Sequence, residues 1–263
     1  LLLTLFISRR MSNMFSTSRL AISMESAKFI YGKSAVRNGK VEIIPNAINL
    51  DNFLKVVNLE KERTKQELGI EPYKTVMGHV GRFSIMKNHS FLLRLVVLMK
   101  KIMPDICLVC VGDGELRDSI KESAVRLGIE PDVKFLGLRK DIPFVMRCFD
   151  VFVFPSLWEG LGGAVIEAQA AGISCIASDN LPGETDMGLG LIEYASLTDE
   201  AKWVEAILRA IRRRQPELDE IKKAFDSKGF TLENSSKHII SAYGIERFTD
   251  KDKLEEGGSN EGN

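Results

Sequence analysis

From Lys74 onward, short apolar runs alternate with segments of helical pattern, and this alternation constrains the fold more than any other feature of the chain. The runs are TVMGHV (75–80), ICLVCV (106–111), VKFL (133–136), VFVF (151–154), SCIA (174–177) and GLIE (190–193). Between them lie HSFLLRLVVLMKKI (89–102), ELRDSIKESAVRLG (115–128), DIPFVMRCF (141–149) and GAVIEAQAAG (163–172). Phe91, Leu92, Leu95, Val96, Leu98, Met99 and Ile102 recur at the three-and-four spacing of an amphipathic helix. Strands that read as continuous apolar runs are covered on both faces, so the pattern predicts an α/β fold with a doubly wound, Rossmann-like parallel sheet. Such sheets bind ligands beyond the carboxyl ends of their strands. Three segments fall there: Gly81-Arg82-Phe83, Gly112-Asp113-Gly114, and the stretch from Pro155 to Gly163.

Outside this region the reading is sparser. TSRLAIS (17–23) reads as a strand, and KVEIIPNAINLDNF as a strand running into a connector. Helical stretches follow the alternating region, from Asp199 to Arg214 and from Leu232 to Arg247, and the polar tail 249–263 reads as disordered. The chain holds 36 Lys and Arg against 36 Asp and Glu, so no net charge drives it toward nucleic acid or an acidic membrane. The first apolar run, LLLTLFI, is too short to span a bilayer and lacks the flanks of a signal peptide. The chain begins with Leu1, which points to a fragment.

Several tempting motifs read as structure. Cys107 and Cys110 form a CxxC, but positions three apart on a strand face opposite ways and cannot share a metal. Four cysteines in a chain of this length fit a reduced, cytoplasmic setting. His79 sits in an apolar strand and reads as a core residue, and His89 as one more often structural than ligand-binding. Gly112-Asp113-Gly114 is a turn signal without the third glycine of a dinucleotide fingerprint. Trp158 either lines the cleft or packs under its loop. Arg209, Arg212, Arg213 and Arg214 suit a helix C-terminus, with an anionic-lipid patch as the other reading. Asp250-Lys251-Asp252 is the one Asp-x-Asp and reads as a solvated charge run, so no metal site is expected.

The stretch PSLWEGLGGAVIEAQAAG carries the chemistry. A glycine-rich turn opening a helix offers bare N–H groups and a positive dipole end to an anion. Arg82 and Lys87, expected at the same sheet edge, add two cations, a combination suited to a diphosphate. Glu159 and Glu167 flank the turn. Acids beside a diphosphate would repel it, yet each can accept two hydroxyls at once. A nucleoside diphosphate sugar, with a ribose at one end and a hexose at the other, offers that arrangement.

GRFSIMKNH, VGDGELR, VKFLGLRKDI and PSLWEGLGGAVIEAQAAG, in this order, resemble the donor-binding domain of retaining glycosyltransferases with the GT-B fold. The group is the glycogen-synthase-like class, specifically the family 4 enzymes of bacterial polysaccharide assembly, and the resemblance runs from about Thr17 to Tyr243. It implies that Gly81, Arg82 and Lys87 hold the donor diphosphate and that Arg82 and Lys87 stabilise the leaving nucleotide. Glu159 would hold the transferred sugar and Glu167 the ribose. The backbone of Gly160, Leu161, Gly162 and Gly163 would meet sugar and phosphate, and the turn at Leu138 and Arg139 the base. The donor is expected to be a UDP-sugar bound without metal or other cofactor, the acceptor a saccharide or lipid-linked saccharide at the inner membrane face.

The resemblance divides the chain into a remnant of the acceptor-side domain (1–45), a connector (46–73), the nucleotide-sugar-binding domain (74–228), a crossing helix (229–248) and the tail (249–263). The acceptor-side groups are not found in the sequence, so the polypeptide alone is expected to bind donor weakly and turn over little. Rival readings are a nucleotide-sugar-binding fragment without activity of its own, a nucleotide-sugar epimerase of the same architecture, and a dinucleotide-dependent oxidoreductase. The last would need a GxGxxG after the first strand, where GRFSIM stands.

Overall fold

A computed structural model describes residues 2–56 and 61–244. The tail 249–263 with Asp250 and Asp252, and the expected helix extension to Arg247, lie outside the described residues. The chain divides into two compact units, residues 1–48 with 229–263, and residues 49–228.

The first unit opens with α1 (Leu2–Phe15), β1 (Leu20–Ala21), α2 (Met24–Tyr31), α3 (Lys33–Arg37) and β2 (Glu42–Ile43). Helix α2 starts where Ser23 accepts a hydrogen bond from the Ser26 amide, an N-cap that the sequence reading passed over. The two strands pair in parallel over two residues each, far less than the TSRLAIS and KVEII runs suggest.

The second unit begins with α4 (Leu50–Leu54) and α5 (Lys61–Glu67). It continues through β3 (Thr75–Val80), α6 (His89–Lys100), β4 (Ile106–Val111), α7 (Arg117–Arg126), β5 (Val133–Gly137), α8 (Ile142–Met146) and β6 (Val151–Phe154). It closes with α9 (Gly163–Ala170), β7 (Cys175–Ser178), β8 (Ile192–Ala195), α10 (Glu200–Ala210) and α11 (Leu218–Ser227). The last helix, α12 (Leu232–Tyr243), belongs to the first unit, where Ser235 Oγ donates to the Pro45 carbonyl at 3.2 Å.

Six parallel strands form one sheet in the order β5-β4-β3-β6-β7-β8. All six apolar runs become strands of this doubly wound sheet, and its order reverses direction between β3 and β6, the switch point where such sheets form a crevice. β3, β4, β6 and β7 are buried nearly throughout. Cys107 and Cys110 lie in β4 as buried free thiols.

Helix α6 packs its predicted face on the sheet, with Phe91, Leu92, Leu95, Val96 and Met99 buried. Ile102 departs from the prediction: the helix ends at Lys100, and the residue lies beyond it, exposed. Trp203 of α10 meets Phe91 edge-to-face at 5.1 Å between ring centroids, and its indole N–H donates to the Ser196 carbonyl. A buried aromatic thereby keeps its polar atom satisfied. Arg209 and Arg213 pair with Glu193, and Arg214 with Glu217. Three of the four arginines are thus tied to carboxylates of their own unit.

Candidate functional site

The crevice at the switch point is made by the loop after β3 (81–88) and the loop after β6 (155–162). A backbone bond from the Leu157 amide to the Met86 carbonyl (2.8 Å) joins them. The Asn88 side chain adds a second link, donating to the Pro155 carbonyl at 3.2 Å. Asn88 stands at the N-cap position of α6 but caps nothing with its side chain. Its φ of 53° is left-handed, a conformation that asparagine tolerates better than most residues. The side chain serves instead as a bridge between loops.

That bridging sets Lys87 against Glu159. Their charged groups meet at 2.5 Å, with side chains only 13% and 9% exposed. The Lys87 ammonium also lies 4.5 Å from the centre of the Phe154 ring. Both charges are drawn out of water, so each is held by the other, and removing one would strand its partner.

Arg82 behaves differently. Its side chain is 73% exposed and pairs with Glu115 at 3.2 Å, so the structure brings Lys87 but not the Arg82 guanidinium into contact with the loop after β6. Such an exposed pair is weak and readily exchanged for a ligand.

Beside Glu159 the chain turns into α9. Gly162 is the N-cap, with φ 81°, and its carbonyl accepts from the Val165 amide at 2.9 Å. Among the described residues, none of the amides of Leu161, Gly162 and Gly163 donates to another protein group. A β-carbon added at Gly163 would meet nothing within 4 Å. Unclaimed N–H groups and open space thus meet at a helix N-terminus. Glu167, one turn on, is half-buried, and its carboxylate has no partner among the described residues. Burial pushes it above the usual carboxylate range.

The turn after β5 presents Leu138, 80% exposed, and Arg139. The Arg139 guanidinium is taken up by a two-pronged bond to Asp141 at 2.8 and 2.6 Å, which holds that carboxyl below its ordinary value. The backbone of the turn, not the arginine's charge, is what stays available. Trp158 is 57% exposed, which decides against packing beneath its loop.

Gly112 and Gly114 perform a task that the turn signal did not reveal. A β-carbon on Gly112 would lie 2.1 Å from the Gly81 carbonyl oxygen, and one on Gly114 2.6 Å from that of Phe83. The Phe83 amide donates to the Asp113 carbonyl and the Leu116 amide to the Phe83 carbonyl, both at 3.0 Å. The GDG turn therefore clamps the GRF loop backbone to backbone.

The chain is thus a doubly wound α/β protein with a glycine-rich helix N-terminus and adjoining carboxylates at its switch point. The chain belongs to the family described as glycosyl transferases group 1, whose model matches residues 60–222. It is 36% identical over 251 residues to EpsF of Bacillus subtilis (strain 168), covering 95% of this chain and 65% of that protein. It is 29% identical to the UDP-Gal:alpha-D-GlcNAc-diphosphoundecaprenol alpha-1,3-galactosyltransferase of Escherichia coli, covering 81% of this chain and 53% of that one. The chain thus spans between half and two thirds of the length of these relatives. Among solved structures, HepE of Anabaena in complex with UDP and glucose superposes with a TM-score of 0.75 at 20% identity, over 92% of this chain and 67% of that one. WaaG, a glycosyltransferase involved in lipopolysaccharide biosynthesis, gives 0.69 at 17% identity, over 88% of this chain and 64% of that one. These likenesses carry the fold. The family placement sets aside the epimerase and oxidoreductase readings.

Proposed function

We propose that the second unit holds the nucleotide-sugar donor of a retaining hexosyl transfer, one that extends a saccharide or lipid-linked saccharide during extracellular or capsular polysaccharide synthesis. One observation carries this reading: a buried Lys87–Glu159 pair beside three uncommitted amides at the start of α9. The amides of Leu161, Gly162 and Gly163 and the Lys87 ammonium receive the diphosphate, with Arg82 exchanging Glu115 for it. As the glycosidic bond breaks, negative charge grows on the departing nucleoside diphosphate, and these fixed donors stabilise it where it develops. No metal is needed for that step in this reading.

Glu159, relieved of part of its partner by the phosphate, accepts the sugar's hydroxyls. Glu167 accepts the ribose diol, which supplies the donors its half-buried carboxylate lacks. The exposed turn at Leu138 and Arg139 offers backbone groups to the base. UDP in the HepE complex and the undecaprenol diphosphate acceptor named for the Escherichia coli relative support these choices of donor and acceptor class. A donor of this kind and a lipid-linked acceptor would place the reaction at the inner membrane face. Among the described residues no helix is long and apolar enough to cross a membrane. The acceptor side is left unassigned by this reading.

Calorimetric titration with UDP, GDP, ADP and UDP-glucose tests it. The wild-type chain should prefer uridine ligands. Lys87→Ala should weaken binding by about 2 kcal/mol, roughly thirtyfold, through the lost charge-assisted bond. Unchanged affinity in a variant that still melts cooperatively would reject the assignment.

A further inference from the structure

Directly beneath the GRF loop lie two buried histidines that the proposed donor site does not use. His79 is wholly buried in β3, and His89, at the first turn of α6, is 2% exposed. Their rings meet edge-to-face at 4.8 Å between centroids. His89 stacks on Phe83 of the loop at 4.0 Å, while His79 stacks on Phe154, the ring that Lys87 caps.

The hydrogen bonding of this pair is incomplete. His79 Nδ1 lies 2.9 Å from the Val153 carbonyl. A carbonyl only accepts, so Nδ1 carries the proton, and in the neutral ring Nε2 is a bare lone pair. Among the described residues that atom has no partner, and neither nitrogen of His89 has one. His79 Nε2 lies 3.0 Å from where a β-carbon on Gly81 would sit, and the Lys87 stem 3.2 Å from the same point. Three buried, unpartnered nitrogens in one place are unusual, because each costs free energy unless something completes it.

We propose that the His79–His89 pair takes up a proton when a nucleoside diphosphate sugar occupies the loop above, placing a further cation under the leaving group. This rests on the donor site proposed for the loops after β3 and β6. The proton comes from solvent, sits on Nε2 of His79 or on His89, and returns to solvent when the nucleotide leaves. Both histidines then act as positioning residues, holding charge beneath Gly81 without touching the substrate.

The surroundings set the direction. In the ligand-free chain burial lowers both histidines, His89 to about 4, and the Lys87 charge lowers them further. His89 also sits at the positive end of α6. Lys87 is the charged group acting on both rings, and Glu159 offsets it from the loop after β6. The Val153 carbonyl on β6 already favours an imidazolium at His79. Two phosphate charges above Gly81 oppose the Lys87 field and push both rings back toward protonation.

UDP-glucose is the probe, because its esterified diphosphate does not titrate near neutrality as the terminal phosphate of UDP does. Calorimetry in buffers of differing ionisation enthalpy should show net uptake of roughly half a proton per UDP-glucose near pH 6, fading toward pH 8. Nitrogen-15 spectra of the imidazoles identify the acceptor, since the chain has only three histidines, His79, His89 and His238. In the free protein His79 should show the neutral Nδ1–H tautomer, and in the complex one of the buried pair should turn imidazolium. His79→Gln, which can still donate to Val153, combined with His89→Gln should bind UDP-glucose several-fold more weakly and lose the uptake.

Binding that leaves both rings neutral overturns the proposal, as does a water found bridging the pair in a complex without proton uptake. Uptake that appears on Glu159 or Glu167 instead overturns it too. Absence of any binding heat would withdraw the donor site, and this inference with it. The wild-type measurements decide the matter even if the variant does not fold.

Discussion

Two glycine-rich turns at the same edge of the sheet look alike in sequence and do opposite things. In the turn after β4, Gly112 and Gly114 are glycines because another backbone already fills the space a side chain would take. In the turn after β6, a β-carbon on Gly163 would meet nothing within 4 Å, and among the described residues the amides of Leu161, Gly162 and Gly163 donate to no protein group. The first turn is packing, and the second is the open turn to which we assign the donor. Glycine alone does not distinguish a clamp from a cradle; what a β-carbon would meet does.

Substitutions sharpen this contrast. Gly112→Ala should be the most damaging, because it combines a φ of 136° with a contact of 2.1 Å to the Gly81 carbonyl. A loss of roughly 3 kcal/mol, read as a lowered midpoint in thermal or urea unfolding, is expected. A midpoint near wild type would show that the two loops part easily and would erase the distinction.

Gly163→Ala should reverse the pattern. Stability should stay within about 0.5 kcal/mol or rise, since alanine is a better helix former and the site is open. Affinity for UDP should fall about tenfold, because the added methyl occupies the phosphate's approach. Retained UDP affinity in calorimetry would mean the cradle is not where the anion sits.

The smallest effect concerns Glu167. Its carboxyl is raised by burial, so the folded chain holds this proton more tightly than the unfolded chain does. Its contribution to stability is therefore full below the unfolded value of 4.5 and is lost as pH rises through the folded one. Glu167→Gln should remove that loss, leaving the variant slightly more stable than wild type at pH 7, while weakening ligands that carry a ribose diol. A melting series from pH 4 to 8 that is parallel for both proteins would contradict the assignment.

How much of this was legible in the sequence depended on range. The six strands were readable because a strand covered on both faces must be apolar throughout, as ICLVCV and VFVF are. Helix α11, LDEIKKAFDS, was missed: its buried residues are Ile221 and Phe225, and polar side chains surround them. Helices α1 and α2 were missed because LLLTLFI was weighed only as a membrane segment and the Ser23 cap was overlooked.

At the site, residue types and spacing pointed to Glu159, Glu167 and the turn between them. Pairings across long intervals left no trace in local pattern. Lys87 and Glu159 are 72 residues apart, and Arg82 looked equivalent to Lys87 until Glu115 was seen to hold it. The His79–His89 contact escaped for a similar reason: one residue lies near the end of a strand, the other begins a helix, and the fold brings the rings together.

The central claim is that the amides at the start of α9 and the Lys87 ammonium form one anion site. A crystal structure of the chain with UDP tests it most directly. The diphosphate is expected within hydrogen-bond distance of the Gly162 or Gly163 amide and of Lys87 Nζ, with Glu115 released from Arg82. A diphosphate bound elsewhere on the sheet edge, with Lys87 and Glu159 still closed on each other, would contradict the account.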